Sequence, residues 1–417
     1  MDLRISSVKA REIIDSRGNP TIEATVRLAC GAVGIASAPS GASTGSFEAV
    51  ELRDNDKNRF NGKGVLKAVE NVNNVISPAI LERGYTDFFG CDQLISSLDN
   101  TDSLSSIGAN ASLSVSLALA KAHACAYQLP LYRYLGGMYG RTLPVPMMNI
   151  LNGGAHASNN IDIQEFMIVP KGLSSFKEML RAGCEIYHSL KSILQKNGYS
   201  TAIGDEGGFA PNLSSDEEAL DLIVNAIENA GYSTDDIKIA LDIASSEWWS
   251  EDDKCYHLPK AKLKLSSNDL IKRWSELAEK YPIISIEDPL NEEDYEGWTK
   301  ITEILGKKIM LVGDDLFVTN KKRLQKGFEL KMGNCILIKP NQIGSLSSTL
   351  DVIKEAKSNG YSTIISHRSG ETDDTTISDI AVATNAGYIK AGAPCRMDRV
   401  AKYNRLLKIE TEIMGAF

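Results

Sequence analysis

From residue 147 onward, short apolar segments recur at residues 147–151, 165–169, 237–243, 283–287, 309–313, 335–339, 363–366 and 388–391. Most are separated by amphipathic stretches, such as residues 268–280 and 345–359. Apolar runs of this length suit buried strands, and the longer stretches between them carry helical periodicity. Eight is the number of strands that closes a (β/α) barrel. The beat is irregular at its start. Only a short loop joins the first two strands, and two helices, about residues 174–197 and 214–230, precede the third. Parallel neighbours need a crossover of about a dozen residues or more, so the first pair is expected to be antiparallel. The expected order is ββαα(βα)6 rather than (βα)8.

The first third follows another pattern. Residues 3–14, 20–29 and 33–38 alternate like strands, with SRGNP (16–20) as a turn, and residues 63–82 and 108–128 have helical periodicity. RTLPVP (141–146) reads as a boundary. We therefore expect an α/β chain in two domains: a smaller α+β capping domain over residues 1–138, and a barrel catalytic domain over 139–417. A chain of 417 residues has room for a barrel of about 250 residues beside a smaller unit.

Charge narrows the function. The formal net charge is −9 and no long Lys/Arg run offsets it, which argues against direct nucleic-acid or anionic-membrane binding. Seven scattered cysteines without a C-x-x-C pair suit a reducing compartment, not a disulfide frame or zinc site. The first residues, MDLRISSVKAREIID, lack a signal-peptide apolar stretch, and the best candidate span, residues 111–131, holds Lys121 and His123. A cytoplasmic protein with no membrane span is expected.

Barrel enzymes carry their reactive groups at the C-terminal ends of the strands. Those ends read Asp242 in ALDIA, Glu287 in SIEDP, Asp314 in VGDD, Lys339 in LIKP, His367 and Arg368 in SHRSGET, and Lys390 in YIKAG. Gln164 and Glu165 stand instead at the start of the second strand, where an antiparallel direction would bring them to the same rim. A single loop acid is usually solvated or caps a helix. Three acids ending three successive strands would repel one another unless a cation sits among them, and oxygen-only ligands suit Mg²⁺. Lys339 and Lys390 either snorkel outward and pair with acids, or crowd one another so that one becomes a neutral base. GDEGGFAP (204–211) places Asp205 and Glu206 in a glycine-rich loop, SGASTG (40–45) forms a flexible loop in the first domain, and NGGAHASNN (152–160) carries His156.

SRGNPT, PSGASTG, NGGAHA, QEFMIVP, GDEGGFAP, ALDIASSE, IEDP, GDDLFVTN, LIKPNQIG, SHRSGET and IKAGA follow one another over nearly the whole chain. In these motifs and their order the sequence resembles the enolase family. The resemblance implies reversible, Mg²⁺-dependent dehydration of 2-phosphoglycerate to phosphoenolpyruvate, the glycolytic and gluconeogenic step, with two metal ions per site, the second arriving with substrate. It makes Glu206 the general acid and Lys339 the base. Asp242, Glu287 and Asp314 would hold the first ion, and Ser43 in a mobile lid would join the second. His156, Gln164, Glu165, His367, Arg368, Ser369 and Lys390 would meet substrate. It further implies a homodimer or a ring of dimers. Ser158, Asp373, Ala391, Cys395 and Met397 depart from common family residues beside these positions, which bears on fine tuning and oligomer contacts. The motifs set aside a barrel enzyme acting on an unphosphorylated carboxylate, and a purely structural role.

The chemistry sets two further expectations. The base must be able to lose its proton near neutral pH, and the acid must have its pKa held up.

Overall fold

The computed structural model describes residues 1–41, 47–84 and 86–415. The chain opens with an antiparallel sheet of β1 (Ile5–Ile14), β2 (Pro20–Leu28) and β3 (Val33–Ser37). The turn between β1 and β2 is held by Asp15, whose Oδ1 accepts the N–H groups of Arg17 and Asn19, both at 2.8 Å. Helix Ala109–Ala126 lies across the sheet and is buried almost all round. The two approach closely because Gly34 has no side chain; a Cβ there would fall 2.0 Å from the carbonyl oxygen of Ala118.

The helix expected over residues 63–82 is not continuous. Leu66–Asn71 and Ser77–Arg83 are α-helical, but Val72–Ile76 between them widens into a π-turn, with the Ser77 N–H reaching the Val72 carbonyl. Pro78 has no N–H to give to the preceding turn, so the ladder is broken there in any case.

All eight expected barrel strands form. They are β4 (Val145–Asn152), β5 (Glu165–Val169), β6 (Lys238–Asp242), β10 (Ile283–Glu287), β11 (Met310–Gly313), β12 (Cys335–Ile338), β13 (Ser362–Ser366) and β14 (Gly387–Lys390). They close in the order β4-β5-β6-β10-β11-β12-β13-β14, with β14 returning to β4. β5 is antiparallel to both its neighbours and the other pairings are parallel, so the ββαα(βα)6 order holds. One element was not expected: between β6 and β10 the chain makes a small antiparallel sheet of β7 (Trp249–Ser250), β8 (Cys255–Leu258) and β9 (Leu263–Leu265). The outer helices start on serine caps, including Ser175, Ser215 and Ser345, and Ser266 and Asp269 form a capping box.

The barrel's alternation places the site. Strand side chains point alternately inward and outward. Met147, Met167, Val169, Ala240, Val312, Cys335, Leu337 and Ile364 fill the interior as one cluster, while Ile336 and Ile338 pack outward with the helices. Continuing each inward series to the C-terminal rim reaches Asn149 from Met147, Asp242 from Ala240, Asp314 from Val312, and Lys339 from Cys335 and Leu337. In antiparallel β5 the series runs backward from Val169 through Met167 to Glu165, which pairs in register with Asp242. An apolar plug thus floors a rim of charged groups.

Candidate active site

Lys390 is the hub of the rim. Its Nζ lies 3.0 Å from Asp242 Oδ2, 2.9 and 3.0 Å from the two oxygens of Glu287, and 3.3 Å from Glu165 Oε2, all of them buried. Lys339 instead pairs with Asp314 Oδ2 in a short contact. Gln342 donates to Asp314 Oδ1 at 3.1 Å, and Gln164 lies 3.4 Å from Asp242 Oδ2.

On the far side stands Glu206. Asn149 donates to its Oε2 at 3.1 Å, His367 Nε2 lies 3.6 Å from the same oxygen, and His156 Nδ1 is 4.0 Å from Oε1 and 3.3 Å from Glu165 Oε1. Arg368 reaches Glu48 of the first domain at 2.8 Å and Asn341 at 3.2 Å. An isolated bridge between Ser40 and Gly370 brings the first domain to the same mouth. Of the expected residues, His156, Gln164, Glu165, Glu206, Asp242, Asp314, Lys339, His367, Arg368, Ser369 and Lys390 line one cavity. Glu287 is reached through Lys390, and Ser43 lies outside the described residues.

The electrostatics correct two expectations. Burial opposes the charge on Lys339, but Asp314 outweighs it and raises the lysine above its usual range. Lys390 is likewise pushed well above its range, because Asp242, Glu165 and Glu287 overcome burial. Neither ammonium is crowded into neutrality, since each has a carboxylate closer than the other lysine's charge can offset. Burial alone would raise Glu206. The imidazole of His367 and the charges of His156, Arg399 and Lys390 instead hold it well below the carboxylate range, so the expected acid is not held up. Other carboxyls of the rim are raised, among them Glu165 through burial and the charge of Glu206, and Glu287, well above its range, through burial and Asp242. His156 rises to about 9 despite burial, through Glu206 and Glu165.

Several neighbours were missed in the sequence. Asp288 accepts the N–H groups of Asp314 at 3.0 Å and Asp315 at 2.8 Å, fixing the turn that presents Asp314. Asn149 and Arg399 also reach the site. Asn149 had a signal, its inward register on β4; Arg399 had none, lying in the first turn of an outer helix. Of the departures, Ala391 is buried and Met397 exposed.

The donor set fits divalent cations. The cavity wall carries seven carboxyl groups, of Glu165, Glu206, Asp242, Glu247, Asp288, Asp314 and Asp315, against the cationic groups of Lys339, Arg368, Lys390 and His156. Glu165 Oε2 accepts no hydrogen bond although buried. Oxygen atoms of Asp288, Asp314 and Asp315 converge within 4.8 Å of one another, as do ligand atoms of His156, Glu165 and Glu206. The all-oxygen set suits Mg²⁺, and of the expected trio Asp242, Glu287 and Asp314 only Asp314 belongs to it.

A closed barrel with carboxylates and lysines gathered on its C-terminal rim has the layout of a class, the barrel enzymes that carry acid–base groups at the strand ends. Residues 5–135 match the family model for the enolase N-terminal domain, and residues 140–416 that for the enolase C-terminal TIM barrel domain. The chain belongs to the enolase family. Members are lyases of the hydratase type that use Mg²⁺ and bind phosphoglycerate-type substrates.

Proposed function

We propose that this chain is a Mg²⁺-dependent hydro-lyase (phosphopyruvate hydratase, EC 4.2.1.11) that interconverts 2-phosphoglycerate and phosphoenolpyruvate. The observation that carries the reading is the placing of Lys339 and Glu206 on one cavity with Arg368 and the strand-end carboxylates. In the forward direction Lys339 takes the α-proton, and the electron pair of that C–H bond becomes the C=C bond. The β-carbon–oxygen bond breaks, and the leaving hydroxide takes a proton from Glu206 and departs as water. Arg368 and Ser369 hold the phosphate, while His156, Gln164, Glu165, His367 and Lys390 orient the rest of the substrate. Asp242, Glu287 and Asp314 hold the first Mg²⁺, and Ser43 joins the second. Bound Mg²⁺ supplies positive charge to the substrate carboxylate, whose negative charge grows as the α-proton leaves.

Lys339 accepts a proton only when uncharged. Asp314 holds it as an ammonium, whereas Arg368 and Lys390 push the other way. Drawing Asp314 away from Lys339 is therefore what arms the base. Glu206 must in turn gain a proton before elimination, and His156, raised to about 9, stands 4.0 Å from its Oε1. The same reading makes residues 1–138 a capping domain and 139–417 the catalytic barrel, working as a cytoplasmic homodimer or ring of dimers. Among the described residues no helix is long and apolar enough to cross a membrane.

The test separates the two proton transfers. Glu206→Gln is expected to exchange the α-hydrogen of 2-phosphoglycerate with solvent deuterium without forming phosphoenolpyruvate. Lys339→Ala is expected to do neither. Exchange that survives in Lys339→Ala and vanishes in Glu206→Gln would reverse the roles.

A further inference from the structure

Arg399 belongs to none of the motifs that mark the site, yet it is wholly enclosed beneath it. It stands in the first turn of helix Met397–Ile413, and its stem lies against the backbone of Gly392, where a Cβ would come within 2.8 Å of Arg399 Cδ. The guanidinium then reaches two loops. Nη1 donates to the Arg368 carbonyl at 2.6 Å and to Nδ1 of His367 in a short contact. Nη2 donates to the carbonyls of Ser369 at 2.7 Å and Asp205 at 3.3 Å. Asp398 supplies the countercharge, with Oδ2 2.8 Å from Nε.

A guanidinium has five N–H donors and no acceptor. The nitrogen that faces it on His367 must therefore offer a lone pair, which leaves the single ring proton on Nε2. Nε2 is the atom 3.6 Å from Glu206 Oε2. An imidazolium would set N–H against N–H at Arg399, and burial independently holds His367 well below its usual range.

We propose that Arg399 is a positioning residue that locks His367 as the neutral Nε2–H tautomer and ties the acid loop at Asp205 to the loop of His367–Ser369. It touches no reacting atom. The consequence for the reaction rests on the reading of Glu206 as the acid: His367 can donate toward that carboxylate but has no lone pair with which to take its proton. A proton on Glu206 then has the leaving hydroxide as its destination rather than the neighbouring imidazole. The tie through Asp205 and the two carbonyls also fixes the spacing between the acid and the residues proposed to hold phosphate.

The tautomer is directly readable, because the chain has five histidines and a ¹⁵N-histidine-labelled sample gives a resolvable imidazole spectrum. His367 is identified by the signal missing in His367→Gln. Long-range ¹H–¹⁵N correlation on the substrate-free protein is expected to show a bare Nδ1 and a protonated Nε2. In Arg399→Met, which keeps the apolar stem and loses every donor, Nδ1 is expected to gain proton occupancy; in Arg399→Lys, still a donor without an acceptor, the original pattern is expected to persist. Turnover of 2-phosphoglycerate by Arg399→Met is expected to fall about a hundredfold in kcat, the scale of a small misplacement of reacting groups. A protonated Nδ1 in the unsubstituted protein, or an Arg399→Met spectrum identical to it, overturns the proposal. The unsubstituted spectrum decides the matter even if a variant fails to fold. Because no substrate is present, a failure of the proposed reaction and a failure of the tautomer lock are separate results.

Discussion

Replacing Lys390 by Met removes one buried ammonium from three carboxylates at 2.9 to 3.3 Å, those of Asp242, Glu287 and Glu165. Methionine keeps most of the stem's volume, so packing changes little and the charge dominates. Breaking a buried pair by removing one partner typically costs about 3–5 kcal/mol. The cost has a ceiling, because the stranded carboxylates can take up protons. Protonating a glutamate of ordinary pKa near 4.3 costs about 4 kcal/mol at pH 7 and about 1 kcal/mol at pH 5, for each proton needed. Glu287 is already pushed well above its range and takes the first proton at less than that cost. The variant is therefore expected to lose about 3–5 kcal/mol at pH 7 and only about 1–2 kcal/mol at pH 5. The sign follows from linkage. Carboxyls raised in the folded state contribute stability that is fully present below their unfolded pKa and lost as pH rises through the folded value. Urea unfolding of chelator-treated protein at the two pH values measures the difference, and added Mg²⁺ is expected to restore part of it by binding the folded state. A loss below about 1 kcal/mol at pH 7, or an equal loss at both pH values, would refute the reasoning that these charges are mutually dependent.

Four further outcomes are expected. Asp314→Asn in chelated protein should free Lys339 from its partner and lower the lysine's pKa, which ¹⁵N-lysine titration reads; the same variant should be inactive at every attainable Mg²⁺ level. Asp288→Ala leaves the N–H groups of Asp314 and Asp315 without their acceptor, so it should cost about 1–3 kcal/mol per buried donor and weaken Mg²⁺ binding measured by calorimetry. His156 is raised to about 9, so its stabilising contribution is full below its unfolded pKa of about 6.5 and lost as pH rises through about 9. The stability gap between the unsubstituted protein and His156→Gln should accordingly be wider at about pH 6 than at about pH 9.5, read by urea midpoints. Ser43→Ala should weaken a second Mg²⁺ in calorimetry while leaving the first near normal.

The barrel was legible because its inward face repeats every second residue. That period runs unbroken from apolar Cys335 and Leu337 to Lys339, and from Ala240 to Asp242, so position along a strand already states where each charge must point. The antiparallel second strand was legible from a connection with no helical pattern to serve as a crossover, and with it the rim position of Glu165. The small sheet over residues 249–265 escaped because its strands are two to four residues long and carry mixed polarity. The π-turn at Val72–Ile76 escaped because apolar spacing barely changes when one turn of a helix widens.

Side-chain partnerships are a different kind of information from side-chain direction. Two lysines ending strands on one rim invite the inference of mutual repulsion, and that inference fails because repulsion must be weighed against distances no periodicity encodes. Lys390 lies within 3.3 Å of three carboxylates, which settles its charge before Lys339 enters the account. The same limit hid Arg399. In MDR, the opening of an outer helix, an arginine beside an acid suggests a solvated pair, and only the path of the chain after Lys390 turns it beneath the rim. Charge that is surplus in the cavity wall thus has a function that follows from its sign. With carboxylates outnumbering cations, Asp314 holds Lys339 as an ammonium, and a cation bound by Asp314 would compete for that partner. If Lys339 is the base proposed above, this resting charge state, which looks unsuited to proton abstraction, would tie its action to whatever draws Asp314 away.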